Sequence, residues 1–208
     1  MAEEKINDNG YDHLIRITLI GDNNVGKASI LKRFARNEWD AKPVGTSVAE
    51  LEIKTVKVFD KTIRLHMWSI QKSTSNILNS YLRGDAIGIV YDVTNRDSFK
   101  NLHIWFTEVE RYARDDAIIV LIGNKCDLVE DRQVSLNEAL PYAKLHNISH
   151  IETSAKTGAG MIDLFGLFLE NSVKTLQQKQ NKFKNTINVE VEKQNRELPS
   201  THAKWSCI

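Results

Sequence analysis

Gly21-Asp22-Asn23-Asn24-Val25-Gly26-Lys27 has the residue types and spacing of a phosphate loop. Glycines let the backbone curl until several N–H groups point at one anion. A helix starting at the loop adds the positive end of its dipole, and Lys27 adds a full charge. The complete motif ends in Lys-Ser or Lys-Thr, whose hydroxyl holds Mg²⁺. Here Ala28 follows Lys27, and Ser29 stands one residue later. One step along a helix turns the side chain by about 100°, so Ser29 is no simple substitute.

Asn124-Lys125-Cys126-Asp127 follows directly on an apolar run, Ala117 to Gly123. Open α/β sheets bind ligands at the carboxyl ends of such strands. A carboxylate there can accept two hydrogen bonds from guanine, one from N1–H and one from the exocyclic amine. Adenine offers no such pair, and a site built around a buried acceptor rejects a ligand that leaves it unpaired. A third cluster, Glu152-Thr153-Ser154-Ala155-Lys156, ends another short strand. Alone it is a plain turn; in this order and spacing it belongs with the other two.

These clusters need elements to hold them. Leu14 to Ile20 is a β-rich run ending at Gly21, and Ile30, Leu31, Phe34 and Ala35 fit one face of the helix behind the loop. Leu51 and Ile53, then Ile63, Leu65 and Met67, alternate with polar residues. That predicts two strands with one wet face each, joined by a hairpin near Phe59-Asp60-Lys61. Ala86 to Tyr91 reads as a short apolar strand, and Ala117 to Ile122 as a strand buried on both faces. Ser98 is the expected cap of a helix that turns Phe99, Leu102, Phe106 and Val109 inward. Leu140, Ala143 and Leu145 mark another helix, and Met161, Phe165, Phe168 and Leu169 the last. Strands alternating with helices predict a doubly wound α/β fold.

The 208-residue length suits one domain with tails. Its 28 Lys+Arg against 27 Asp+Glu leave a net charge of +1, so no nucleic-acid partner is expected. Two cysteines, Cys126 and Cys207, make neither a disulfide framework nor a cysteine-rich zinc module. The longest apolar run, Ala117 to Ile122, is far short of the ~20 residues that span a bilayer. Residues 1–12 are polar and acidic, unlike a secretory signal, so a reducing, cytoplasmic setting is the expectation. Residues 1–12 read as a flexible lead, 13–176 as the domain and 177–208 as a flexible, variable tail. From Lys174 onward, seven Lys/Arg against three Glu give +4.

The three clusters together resemble those of the Ras-superfamily small GTPases, and other segments narrow the likeness to the Rab type. Arg64-Leu65-His66-Met67-Trp68 is similar to the Rab K-L-Q-I-W, and Tyr81-Leu82-Arg83-Gly84 to Y-Y-R-G. Ile89-Val90-Tyr91-Asp92-Val93-Thr94 is similar to L-V-Y-D-I-T, and Ser98-Phe99 and Trp105 also fit. The resemblance covers residues 13–176. It implies a small G domain with a mostly parallel six-stranded sheet flanked by helices, and GTP or GDP with Mg²⁺ as cofactors. It implies that the loop from Gly21, with Asn24, Val25, Gly26, Lys27, Ala28 and Ser29, wraps the β-phosphate while Lys27 bridges the phosphates. Trp39, twelve residues after Lys27, then packs on the guanine. Thr46, nineteen residues after Lys27, senses the γ-phosphate through Mg²⁺. By the same likeness Asp127 reads the base, the stem of Lys125 lies along it, and Asn124 ties loops together. Ala155 offers its N–H to the guanine oxygen, supported by Ser154 and Lys156.

The departures bear on activity. Where Rab proteins continue D-T-A-G-Q-E, this chain reads Ser69-Ile70-Gln71-Lys72-Ser73, and Trp68 to Arg83 is shorter by a pair of residues. Ser69 replaces the Asp that orients Mg²⁺. Gln71 takes the place of the catalytic, water-positioning glutamine if the missing pair is Ala-Gly. In the first switch, T-I-G-V-D-F becomes Thr46-Ser47-Val48-Ala49-Glu50-Leu51, so Val48 replaces a mobile Gly. Phosphoryl transfer depends on Mg²⁺, Lys and an oriented water. The expectation is a guanine-nucleotide-binding protein of vesicle traffic with a weakened Mg²⁺ site and slow or absent GTP hydrolysis. The alternatives are a scaffold not switched by nucleotide, a structural relic that binds none, which the intact Asn124–Asp127 and Ser154–Lys156 clusters disfavour, and, more distantly, an ATP-using P-loop enzyme, which Asp127 disfavours. The resemblance also implies effector and regulatory proteins and peripheral attachment to the cytosolic face of an endomembrane. A C-a-a-X prenylation signal needs Cys four from the end, where Trp205 stands. Cys207 is the candidate for a lipid, and an inert tail cysteine is its other reading.

Overall fold

In the computed structural model, which describes residues 10–41, 49–58, 60–71 and 75–169, strands and helices alternate. They are β1 (His13–Gly21), α1 (Lys27–Arg36), β2 (Ala49–Val58), β3 (Lys61–Ile70), α2 (Ser75–Tyr81) and β4 (Ala86–Asp92). Then follow α3 (Arg96–Lys100), α4 (Leu102–Tyr112), β5 (Ile118–Asn124), α5 (Leu136–Leu145) and β6 (Ser149–Thr153). Residues 161–169 are helical too. The strands form one sheet in the order β2-β3-β1-β4-β5-β6. Only β2, joined to β3 by the expected hairpin, runs antiparallel to its neighbour. This is the doubly wound α/β fold that the alternation predicts, with the mostly parallel six-stranded sheet that the resemblance implies.

Side chains alternate along a strand, so the sheet has two distinct faces. On one face a Cβ on Gly88 of β4 would lie 2.5 Å from Leu19, 2.6 Å from Ile122 and 3.3 Å from Phe168. The helix over 161–169 sits this close because Gly88 has no side chain. Phe34 of α1 stacks on Phe165 of that helix, with centroids 3.5 Å apart. On the other face, Ile87, Ile89, Tyr91 and Leu121 meet Leu78 of α2, Trp105, Phe106 and Val109 of α4, and Ala139 and Ala143 of α5.

Three local expectations are corrected. Leu51 and Ile53 of β2 are 38% and 49% exposed, while Glu52 is buried. β2 is an edge strand, and its charged face packs on α1. Arg36 Nε donates to Glu52 at 3.0 Å, Lys32 pairs with Glu50 at 3.7 Å, and Lys54 Nζ donates to the Phe34 carbonyl at 2.5 Å. Ion pairs therefore take the face that apolar residues were expected to fill. Ser98 is not the helix cap either. Asn95 is, its Oδ1 accepting from the N–H groups of Asp97 at 3.0 Å and Ser98 at 3.3 Å. In α5, Ala139 and Ala143 face inward, whereas Leu140 and Leu145 are exposed.

Candidate functional site

β1 lies between β3 and β4, so the order of strands reverses beside it. Open α/β sheets bind ligands beyond the carboxyl ends of their strands at such a reversal. The Gly21–Lys27 loop leaves β1 at this point and enters α1. Gly21 has φ +139°, and a Cβ there would sit 2.1 Å from the Val90 carbonyl oxygen. Gly26 has φ +93°, and its Cβ would meet Asn124 Nδ2 at 2.2 Å. Only glycine fits either place. Gly26 is also the N-cap of α1, and no side chain caps the first turn, which leaves those N–H groups to an anion.

Lys27 is buried, and its Nζ donates to the carbonyls of Gly21 at 2.8 Å and Asp22 at 2.6 Å. Burial pushes its ammonium down to about 8, opposed by the nearby Asp22 charge. These two bonds use two of the three ammonium donors. The Asp22 carboxylate is taken up by the start of α4. Oδ1 accepts from Trp105 Nε1 at 2.8 Å and Oδ2 from Asn101 Nδ2 at 2.7 Å, which pins the loop to the start of α4.

Asn124, buried at the end of β5, joins three segments. Its Nδ2 donates to the Val25 carbonyl at 2.8 Å, and its Oδ1 accepts from Thr153 Oγ1 at 3.2 Å and from the Ala155 N–H at 3.3 Å. The Ser154 hydroxyl donates to Asp127 Oδ1 at 2.6 Å. Lys125, with φ +65°, pairs through Nζ with Asp92 Oδ2 at 2.5 Å. Asp92 Oδ1 in turn accepts from the N–H and hydroxyl of Thr94.

These loops enclose a cavity of about 410 Å³, a small-ligand volume. Asn24, Gly26, Lys27, Ala28 and Ser29 line one end. Trp39, Asn124, Lys125, Asp127, Ala155 and Lys156 line the other, and Ser69 and Gln71 reach it from the end of β3. Trp39 is 42% exposed, and Lys156 Nζ lies 5.8 Å from its ring centroid. Gly21, Val25 and Ser154 stand behind this lining. Thr46 and Cys207 lie outside the described residues. Sequence reasoning missed three supporting side chains. Asp22 stood inside a quoted motif, Asp92 stood in a strand-end segment, and Arg33 carried no motif signal at all. Among the described residues no three His, Cys, Asp or Glu converge as a metal set, and no helix is long and apolar enough to cross a membrane.

Comparison with known proteins agrees with this geometry. The sequence profile of the Ras family matches residues 16–174. GTP-binding protein YPTM1 of Zea mays is 40% identical over 160 residues, 76% of this chain and 77% of that protein. Ras-related protein Rab-1D of Dictyostelium discoideum is 39% identical over 158 residues, 74% of this chain and 78% of its own length. GTP-binding protein ypt2 of Schizosaccharomyces pombe is 35% identical over 182 residues, 86% and 90% of the two chains. A profile match over most of the chain and relatives aligned over most of their length carry the same conclusion: this protein belongs to the Ras family, and within it to the Rab-type small GTPases.

Proposed function

We propose that this chain binds GTP and GDP in the 410 Å³ cavity, works in vesicle and membrane traffic, and hydrolyses GTP slowly or not at all. The observation that carries nucleotide binding is the held carboxylate of Asp127, fixed through Oδ1 by Ser154 at 2.6 Å beside Asn124, Lys125 and Ala155. A carboxylate held in this way suits the N1–H and exocyclic amine of guanine and rejects adenine. Relatives named as GTP-binding proteins support the same reading. Membership of the Rab type supports the traffic role, protein effectors and regulators, and attachment to the cytosolic face of an endomembrane. Cys207 is the residue for a lipid, and a single chain there binds a membrane only marginally unless the basic tail assists.

Among the described residues, the side chains at the metal end do not make an ordinary Mg²⁺ site. Mg²⁺ is usually held by one or two carboxylates together with phosphate oxygens. Ala28 brings a methyl and Ser69 a hydroxyl to the cavity, and the carboxylate of Asp22 is bonded to Trp105 and Asn101. Lys27 and the loop N–H groups remain to hold phosphates, and Gln71 orients a water if the missing pair of residues is Ala-Gly. With the metal end weakened, charge at the γ-phosphate is poorly stabilised and hydrolysis slows. The γ-phosphate also becomes a poor lever, because a ligand with equal affinity for two states shifts neither.

Calorimetric titration of nucleotide-free protein with GDP and with a non-hydrolysable GTP analogue tests this, each with Mg²⁺ and with EDTA. Both nucleotides should bind, with little difference between the two conditions. Strong Mg²⁺ dependence or ordinary GTP turnover overturns the weak-metal part. Binding of neither nucleotide overturns the whole reading and leaves a scaffold.

A further inference from the structure

Arg33 lies on α1 and its guanidinium is aimed at the backbone of two separate segments. Nε donates to the Ala155 carbonyl at 2.7 Å and Nη2 to the Lys156 carbonyl at 2.5 Å. Nη1 donates to the main-chain oxygen of Asn37 at 3.1 Å and to its side-chain Oδ1 at 3.0 Å. Asn37 ends α1 in the left-handed conformation, and Trp39 follows two residues later. Ala155, Lys156 and Trp39 all line the cavity, with the Lys156 ammonium over the Trp39 ring. The fork therefore joins two walls at the same end of the site.

The base of the fork is fixed as well. Phe34, next along α1, is stacked on Phe165 at 3.5 Å, and its carbonyl accepts from Lys54 at 2.5 Å. A planar guanidinium with donors in fixed directions satisfies both segments at once, which the single point of a lysine ammonium does not. Arg33 also holds the residue, Ala155, whose N–H lies 3.3 Å from Asn124 Oδ1. The 122-residue separation between Arg33 and Ala155 makes this a tertiary clamp and not a helix cap.

We infer that Arg33 is a positioning residue for the base end of the nucleotide site. It keeps the Ala155–Lys156 turn and the Asn37–Trp39 segment at a fixed separation and so slows nucleotide release, without touching the ligand. The inference rests on the proposed binding of guanine nucleotide.

The test loads the full chain with a fluorescent N-methylanthraniloyl GDP and chases it with excess GDP, in Mg²⁺ and in EDTA. Arg33→Met removes all four hydrogen bonds and keeps an aliphatic stem. Losing charged hydrogen bonds to two segments predicts release faster by roughly tenfold or more. The association rate constant and the loaded fraction stay at wild-type values, a split that a misfolded pocket does not produce. Arg33→Lys stays fast, because charge alone does not span both segments. Lys32→Met, which removes the neighbouring charge paired with Glu50, releases at the wild-type rate. Wild-type release from Arg33→Met, or full rescue by Arg33→Lys, overturns the inference and leaves nucleotide binding standing. A wild-type chain that takes up no GDP overturns both. If Arg33→Met does not fold, Arg33→Lys decides: a native melt with fast release supports the clamp, and native release overturns it.

Discussion

Replacing Asn124 tests how the site is held together. Asn124 is 1% exposed and serves Val25, Thr153 and Ala155 at 2.8, 3.2 and 3.3 Å. Asn124→Ala leaves a carbonyl, a hydroxyl and an N–H facing a small void. A buried polar group left unpaired costs about 1–3 kcal/mol. The Thr153 and Ala155 contacts are long, at 3.2 and 3.3 Å, and so are the weaker ones. The loss therefore concentrates on the Val25 carbonyl and the void, for about 2–4 kcal/mol in all. In a domain of this size each kcal/mol moves Tm by about 2–4 °C, so thermal and urea melts both resolve it. Asn124→Asp separates the contributions. It keeps an acceptor for Thr153 and Ala155 but sets a carboxylate oxygen against the Val25 carbonyl, two acceptors face to face. At pH 8 it should destabilise at least as much as Asn124→Ala, and the gap should narrow in acid, where a protonated carboxyl regains a donor. The assay is urea unfolding of nucleotide-free and GDP-loaded protein, followed by tryptophan fluorescence. An Asp variant clearly more stable than the Ala variant at pH 8, or an Ala variant that melts like wild type, refutes the reasoning.

Three further outcomes are expected. Ala28→Ser combined with Ser69→Asp returns a hydroxyl and a carboxylate to the metal end, so the ratio of GDP affinities in Mg²⁺ and in EDTA should rise about tenfold or more; an unchanged ratio in calorimetry contradicts the metal argument. Lys27 sits near 8 because of burial, so its ammonium is present below that pH and lost above it. GDP affinity should fall as pH rises through about 8, and Lys27→Met should abolish that step in a pH series of titrations. Gly88→Ala forces a Cβ to 2.5 Å from Leu19 and 2.6 Å from Ile122. Overpacking of this kind costs about 1–3 kcal/mol, and a urea melt like that of wild type contradicts it.

Much of this architecture is legible in the chain. The phosphate loop is recognisable because its chemistry is local: a tight backbone cradle needs glycine at fixed offsets, and Lys27 must follow within one turn. The core strands Ala86 to Tyr91 and Ala117 to Ile122 announce themselves by unbroken apolar runs, since a parallel strand is covered on both faces. The edge strand misleads for the converse reason. The pattern of β2 shows that two faces differ in polarity, but which face is covered depends on α1, and α1 brings Lys32 and Arg36 to meet Glu50 and Glu52. Asn95 rather than Ser98 caps α3 because both residue types suit a cap, and only the path of the chain leaving β4 selects between them.

By itself the sequence determined the strand–helix alternation, the phosphate loop and the residue types of the three clusters, because each follows from local spacing and side-chain chemistry. Tertiary structure alone decided which distant groups become their partners. Asp22 reaches Trp105 across 83 residues, Asn124 reaches Val25 across 99, and Arg33 reaches Ala155 across 122. No spacing rule links such pairs. The sheet brings the ends of β1, β4, β5 and β6 side by side, and at that edge groups distant along the chain become hydrogen-bond partners.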